Sequence, residues 1–157
     1  CLLYCTLMSC QSKAMKTKFY STPQEAETAF YEAFEQLDAD AMMAVWSTEE
    51  DIVCVHPQGA PISGYDAVRD NWREMFNNGQ KLRFRVTQHH TYTGLMLSIH
   101  VVLEHARLES GEEAPHPILA TNVYMRSDKG WRMILHHASP SPAQTVGEAD
   151  DPGRVLH

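Results

Sequence analysis

Basic residues and cysteines are both scarce in this sequence, and each scarcity excludes a class of protein. The chain of 157 residues carries 13 Lys and Arg against 20 Asp and Glu, a formal net charge of −7. Nucleic-acid-binding surfaces and proteins that dock on anionic membranes need a basic footprint, so we predict neither kind of partner. The acidic excess mainly favours solubility.

The four cysteines provide no framework for disulfide bonds. Cys1, Cys5 and Cys10 lie within the first ten residues, and Cys54 is alone in the body of the chain. A core stapled by disulfides or by a structural zinc ion needs paired spacings that this pattern lacks. We interpret Cys54 as a small buried strand residue and predict a reducing, cytoplasmic location.

Sequence signatures of cofactor and metal binding are also missing. The sequence has no Gly-rich phosphate loop and no nucleophile elbow. The pairs His89-His90 and His136-His137 suggest metal binding at first sight, but neighbouring strand residues point to opposite faces and cannot chelate one ion together. We therefore predict no metal and no cofactor.

The length fits a single domain, which we place at residues 22–141. Residues 1–21 are predicted to be an extension, either disordered or a non-native start. Their first segment is apolar yet too short to span a membrane, and Met15 has the features of a natural start. Residues 142–157 are rich in Pro, Gly and Asp, which predicts a flexible tail.

Three segments with helical spacing precede a run of strands. Thr22-Pro23-Gln24-Glu25 has the features of a helix start, and apolar residues follow at helical intervals as far as Leu37. Further helices are predicted over 41–46 and 65–77, with short extended segments at 52–56 and 62–64 between them. From residue 82 apolar residues alternate, which predicts strands up to a turn near Thr93 and over 95–108, 118–126 and 131–139.

This order of elements predicts an α+β fold with helices on one face of a curved antiparallel sheet. The central strands are apolar on both faces, and the helices can cover only one of them. We predict that a second copy of the chain covers the other face in a homodimer. The alternative is that a loop or tail of the same chain folds over it.

Three groups of residues stand out along the chain. They are Phe30-Tyr31-Glu32-Ala33-Phe34 with Asp38-Ala39-Asp40 and Trp46; Val55-His56-Pro57 with Gly64 and Trp72; and Ala120-Thr121-Asn122-Val123-Tyr124 with Gly130-Trp131-Arg132 and His136-His137-Ala138-Ser139. Together these groups resemble the SnoaL-like branch of the nuclear transport factor 2-like superfamily. The resemblance implies a cone-shaped, cystatin-like half-barrel, in which the curved sheet wraps around three helices and encloses a pocket, and it implies frequent dimerisation. Members include ketosteroid isomerases, polyketide cyclases, dehydratases, epoxide hydrolases and association domains.

Histidines are the best candidates for catalytic residues, because an imidazole exchanges protons near neutral pH and the chain has nine of them. His56 ends a strand just before a loop, and His100 lies in the middle of an apolar strand. We predict that both act as catalytic residues together with His137. Asn122, which is polar among apolar neighbours, is predicted to orient a carbonyl group or a water molecule.

Aromatic residues are predicted to bind the ligand. Trp46 and Trp72 would form walls of the pocket, and Tyr92 would donate a hydrogen bond. For each of these residues and for each histidine, a purely structural role in the core is the alternative. Asp40, the one candidate for a ketosteroid isomerase-like carboxylate base, is better explained by its position in the first turn of a helix.

Alternation along the last strand separates the two adjacent histidines. Trp131, Met133, Leu135 and His137 share one face, so we predict that His137 faces the pocket and His136 the dimer side. Two functions remain open. The domain either binds a small hydrophobic carbonyl compound and supports proton transfer, hydration or dehydration, or it is a non-catalytic dimerisation or association module.

Overall fold

The computed structural model describes residues 18–141, which form three helices and one six-stranded sheet. The α+β fold that was predicted is confirmed, with a curved sheet that does not close into a barrel. In chain order the elements are α1 (Pro23–Gln36), α2 (Ala39–Val45), β1 (Val53–Val55), β2 (Ile62–Ser63), α3 (Tyr65–Asn78), β3 (Leu82–Thr93), β4 (Leu97–Leu108), β5 (Ile118–Ser127) and β6 (Gly130–Pro140).

Side-chain caps begin the first two helices. The Thr22 side chain accepts a hydrogen bond from the Glu25 backbone N–H at the start of α1, and Pro23 fits the first turn. Asp38 caps α2 by accepting from the Ala41 backbone N–H. Asp40 lies exposed in the first turn of α2, as its sequence position indicated.

The strands follow the order β2-β1-β6-β5-β4-β3. β3, β4, β5 and β6 each pair antiparallel with the next strand in the chain, and β1 pairs parallel with β6. The helices pack on the inner face of the sheet. Phe30 of α1 and Trp72 of α3, both fully buried, meet there with their ring centroids 5.7 Å apart.

Two β-bulges interrupt the alternation of side chains. On β3, Gln88 pairs with Val102 and His90 pairs with Val101, so His89 is an extra residue. On β6, Leu135 pairs with Val123 and Met133 pairs with Tyr124, so Ile134 is extra. Each bulge exchanges the two faces for the residues beyond it.

The prediction that His137 faces the interior is therefore wrong. Beyond the bulge at Ile134, it is His136 that turns inward and is 3% exposed, while His137 lies exposed on the outer face. Tyr92 is displaced in the same way by the bulge at His89. It pairs with the outward-facing Ile99 and is 62% exposed, so it does not line the interior.

The segment before α1 is attached to the end of the sheet. Tyr20, a residue of the predicted extension, is buried and forms a parallel bridge with Gly130. Gly130 has a φ of +89°, and a Cβ there would lie 2.6 Å from the Tyr20 carbonyl oxygen, so this contact requires glycine. Residues 1–17 of the predicted extension and the predicted tail over 142–157 fall outside the described residues.

The outer face of the sheet carries half-buried apolar side chains and one exposed one, Leu119, and no covering element within residues 18–141. They lie on three neighbouring strands, with Thr121 and His137 between them, and we call this surface the outer apolar face. No helix in the described part of the chain is both long and apolar enough to cross a membrane. The outer apolar face consists of Ile99, Val101, Leu103, Leu119, Val123, Met125 and Leu135.

Candidate functional site

Polar side chains with few solvent contacts are concentrated between α1 and the inner face of the sheet. We call them the buried polar cluster. Alternation along β4 directs Ser98, His100 and Glu104 to this side, and β5 and β6 contribute from the neighbouring ladders. The cluster consists of Glu27, Tyr31, Ser98, His100, Glu104, Asn122, Tyr124 and His136.

Glu27 of α1 lies at the centre of this cluster and is 6% exposed. Its Oε2 is 2.8 Å from His100 Nδ1 and accepts hydrogen bonds from Asn122 Nδ2 and the Tyr124 hydroxyl, both at 3.3 Å. Its Oε1 accepts a hydrogen bond from the amide of Gln88 on β3. A buried carboxylate loses its hydrogen bonds to water, and these four partners replace them.

Glu104 forms a second buried carboxyl site beside the first. Its Oε1 accepts a 2.7 Å hydrogen bond from the Tyr31 hydroxyl, whose oxygen in turn accepts one from Asn122 Nδ2 at 3.2 Å. Burial raises the pKa of Glu104 to about 7, and the nearby Glu27 carboxylate acts in the same direction, although the Tyr31 hydrogen bond opposes them. Glu104 therefore exchanges a proton close to neutral pH.

The Tyr31 hydroxyl remains a proton donor over the whole working range of pH. Burial raises its pKa far above the usual value for tyrosine, and the charge of Glu104 raises it further. Tyr31 therefore keeps its proton and donates it in the hydrogen bond to Glu104. The ring packs against Phe84 of β3 with centroids 5.7 Å apart, which holds the hydroxyl in position.

A chain of hydrogen bonds connects Glu27 to the rim of the sheet. His100 Nε2 is 3.0 Å from Ser98 Oγ, and Ser98 Oγ is 2.8 Å from Thr93 Oγ1, which belongs to an exposed residue at the β3–β4 turn. His100 and Ser98 are themselves fully buried. The carboxylate–imidazole–hydroxyl sequence resembles a catalytic triad in its connectivity, but the burial of Ser98 leaves no room for a substrate at that hydroxyl.

His136 connects the cluster to the other predicted histidine. Its Nδ1 is 2.7 Å from Asn122 Oδ1, and its ring lies 6.5 Å from the ring of His56. Burial lowers the pKa of His136 to about 3, with further lowering by His56 and His137. The ring is therefore neutral in the folded protein, and Nδ1 donates to the Asn122 oxygen.

His56 is half-buried at the end of β1. Its Nε2 is 2.7 Å from Asn71 Oδ1 on α3, and its ring packs 4.9 Å from Trp72. Burial lowers the pKa of His56, and the hydrogen bond to Asn71 partly offsets this. Both contacts fix the ring against α3.

A groove between α1 and β3 gives access to the cluster from the side. Its volume is about 360 Å³, within the range of pockets for small molecules. Glu27 and Tyr31 form part of its wall, so the two buried carboxyl sites are reached through these residues. The complete lining is Glu27, Thr28, Tyr31, Glu32, Glu35, Phe84, Val86 and Gln88.

The predicted site residues separate into three groups. His100, Asn122, His56 and Trp72 lie in or next to the buried polar cluster, although none of these four lines the groove. Trp46 is buried elsewhere, beside the β5–β6 turn, and His137 and Tyr92 are on the outer side of the sheet.

Sequence reasoning did not place Glu27, Tyr31 and Glu104 together, and these residues carry the carboxyl chemistry of the cluster. Glu27 and Tyr31 are four residues apart, so they share a helix face with the buried Phe30. An acidic residue within an apolar helix stripe was the available signal. Within residues 18–141, no group of three or more His, Cys, Asp and Glu residues is arranged to hold a metal ion.

Comparison with known proteins gives one family. A family model described as a SnoaL-like domain matches residues 24–144. A curated protein from Arabidopsis thaliana, F-box protein SKIP8, is 28% identical over 143 residues, which cover 89% of this chain. The chain spans 57% of the length of that protein.

Two solved structures are similar in both sequence and fold. A proposed calcium/calmodulin-dependent protein kinase type II association domain from Thiobacillus denitrificans is 42% identical, with a TM-score of 0.74; the match covers 80% of this chain and 99% of that one. A proposed dehydratase of the nuclear transport factor 2-like family from Streptomyces avermitilis is 29% identical, with a TM-score of 0.69, covering 75% and 92%.

The lowered pKa of His136 predicts sensitivity to acid. An unfolded histidine takes up a proton as the pH falls below 6.5, whereas folded His136 does so only near 3, so its contribution to stability is present above 6.5 and is lost toward 3. The free energy of unfolding of the parent protein should fall between pH 7 and about pH 5. We expect this fall to be smaller by about 2 kcal/mol in His136→Asn, which keeps an N–H donor for Asn122.

Urea denaturation at the two pH values measures this difference. His116→Asn is the matched control, because that side chain is exposed in the folded protein and is not among the groups that lower the pKa of His136. It should keep the pH dependence of the parent protein. Equal loss of stability in the parent and in His136→Asn would show that His136 is not the group responsible.

Proposed function

Since this chain belongs to the SnoaL-like domain family, we propose that it binds a small carbonyl compound in the groove between α1 and β3 and transfers a proton within it. The observation that carries this proposal is the pair of buried carboxyl sites, Glu27 and Tyr31–Glu104, at the groove wall. Burying two neighbouring carboxyl groups costs several kcal/mol, which a purely structural core has little reason to bear.

Tyr31 and Glu104 are suited to act on the carbonyl oxygen. The Tyr31 hydroxyl would donate its proton to that oxygen, and protonated Glu104, 2.7 Å away, would replace it. A group with a pKa of about 7 can both give and take up protons at neutral pH. The hydrophobic part of the ligand would lie against Phe84 and Val86, which line the groove.

Glu27 is suited to receive the proton that leaves the carbon next to the carbonyl. Its Oε1 is bonded to Gln88, and Gln88 is itself part of the groove wall. A ligand that displaces the Gln88 amide would meet Oε1 directly. One C–H proton then moves to Glu27 and one proton from Tyr31 moves to the carbonyl oxygen, which gives the enol. In a ligand with a C=C bond next to the reacting carbon, Glu27 would return its proton to the far end of the dienol while the enol O–H proton goes back to Tyr31, which would complete an isomerisation.

The test is exchange of protons next to the carbonyl of a hydrophobic ketone in deuterated water, followed by NMR. We expect exchange catalysed by the parent protein and a rate about 100-fold lower in Tyr31→Phe and in Glu104→Gln, as for loss of a general acid. Tyr92→Phe is the matched control. It removes a hydroxyl from the exposed outer face and should exchange at the parent rate.

Absence of exchange over a panel of cyclic and aromatic ketones would contradict the proposal. So would an equal loss of rate in Tyr31→Phe and Tyr92→Phe, because only Tyr31 lines the groove. Circular dichroism of each variant checks that the fold is retained.

A second function, self-association, is favoured by the outer apolar face. Ile99, Val101 and Val123 on this face have no covering element within the described residues. A homodimer through this face would bury it and fits the name of the Thiobacillus denitrificans relative, an association domain. Self-association and ligand binding use different faces and can coexist.

Analytical ultracentrifugation tests the homodimer. The parent protein is expected to sediment as a dimer at micromolar concentration, and Val123→Glu as a folded monomer, because it places a charge in the centre of the interface. Gln36→Glu, which adds the same charge to an exposed position on α1, should remain dimeric. A monomeric parent protein, or a dimer that Val123→Glu leaves intact, would refute it.

A further inference from the structure

A second cavity, of about 350 Å³, lies between the end of α2, the start of α3 and the β5–β6 turn. It shares no residue with the groove between α1 and β3. We call it the cationic cavity, because basic side chains predominate in its wall. Its charged residues are Lys18, Arg69, Arg73, Lys129 and Arg132 against Asp40 and Glu49.

The excess of basic residues in this cavity is opposite in sign to the net charge of the whole chain. The chain has a net charge of −7 and 13 basic residues, yet five of them meet in one cavity with two acidic residues. Two of the five are neutralised locally. Arg69 pairs with Asp66 and Asp70, and Lys129 pairs with Glu49.

Arg132 is a buried basic residue of the cavity, and Glu49 in the same wall acts on its charge without forming an ion pair with it. It is 7% exposed, and its guanidinium donates to the carbonyl oxygens of Trp131 and Lys18. Its cationic carbon lies 4.9 Å from the centre of the Tyr20 ring. Among residues 18–141, no carboxylate forms an ion pair with Arg132. A guanidinium has five N–H donors, and only two hydrogen bonds to backbone carbonyls are formed here among the described residues, so donors remain for an anion.

Arg73 and Lys18 add positive charge at the mouth of the cavity. The side chain of Arg73 is 51% exposed and is held only by a 3.7 Å approach to Asp40, so it can turn toward a ligand. Lys18 is exposed, and its ammonium group lies 5.5 Å from the centre of the Tyr20 ring. Neither residue is locked in a short ion pair.

Trp46 adds aromatic surface to the wall of the cavity. This residue lines the cavity and is 1% exposed. Its Nε1 has no hydrogen-bond partner in the described part of the chain, but the same is true of Trp72 Nε1 outside the cavity, so this atom does not by itself mark a ligand site. Met43, Ala44 and Tyr65 complete the wall with apolar surface.

We propose that the cationic cavity binds an organic anion, a carboxylate or a phosphate ester with an apolar portion. Arg132 and Arg73 would hold the anionic group, because a guanidinium matches the two oxygens of a carboxylate or phosphate. The apolar portion would pack on Met43, Trp46 and Tyr65. This site does not depend on the proton transfer proposed for the groove.

Isothermal titration calorimetry tests the proposal with defined probes. Phenyl phosphate and benzoate each carry one of the two anionic groups on a phenyl ring. Benzyl alcohol, which has the ring but no charge, is the neutral control. We expect binding of at least one anion, at least tenfold tighter than benzyl alcohol and weaker at high salt. The anion that binds more tightly identifies the class of ligand. Inorganic phosphate, which lacks the ring, should bind more weakly than phenyl phosphate.

Substitutions assign the binding to this cavity. Arg132→Gln and Arg73→Gln are each expected to weaken binding of the anion about tenfold, the usual effect of losing one charge-assisted hydrogen bond. The control is Arg126→Gln, which removes the same charge from an exposed position on β5 outside the cavity. If Arg132→Gln does not fold, Arg73→Gln decides the assignment alone.

Three results would overturn the proposal. The first is no binding of either anion, and the second is equal binding of benzyl alcohol. The third is an equal loss of affinity in Arg126→Gln and Arg73→Gln, which would indicate general attraction of anions to basic residues. Proton exchange in the groove is measured separately, so failure here leaves that result unaffected.

Discussion

The carboxylate of Glu27 is the interaction on which the interior of this domain depends. One side chain of α1 accepts hydrogen bonds from three strands, through Gln88 on β3, His100 on β4, and Asn122 and Tyr124 on β5. A carboxylate removed from water is costly unless such partners surround it, and the partners must come from several strands to do so. Glu27 therefore fixes both where α1 lies on the sheet and which side chains meet beneath it.

The same constraint explains why the carboxyl chemistry concentrates beside α1. Asn122 links Glu27 to Tyr31 on one side and to His136 on the other, so each member of the cluster limits the orientation of the next. Glu104, close to the negative charge of Glu27 and shielded from water, holds its proton to higher pH than an exposed glutamate. A structural arrangement of hydrogen bonds thus creates a group that can exchange protons at neutral pH.

The fold could be predicted from the sequence because its signals are local. The cap at Thr22 and the alternation of residues from Leu82 to Val86 each depend on a few neighbouring side chains. The orientation of His137 and Tyr92 could not be predicted, because each follows a bulge that no local pattern marks. Glu27 was missed for another reason: its partners are between 61 and 97 residues away in the chain.

Titration of the glutamate side chains by carbon-13 NMR, with the carboxyl carbon labelled, tests the central claim most directly. The claim is that the buried polar cluster holds a carboxyl group that exchanges its proton near neutral pH. It predicts one glutamate resonance that titrates near pH 7 and disappears in Glu104→Gln, while Glu112→Gln, at an exposed turn, leaves it in place. A spectrum in which every glutamate titrates near its ordinary pKa of 4.5 would contradict the account.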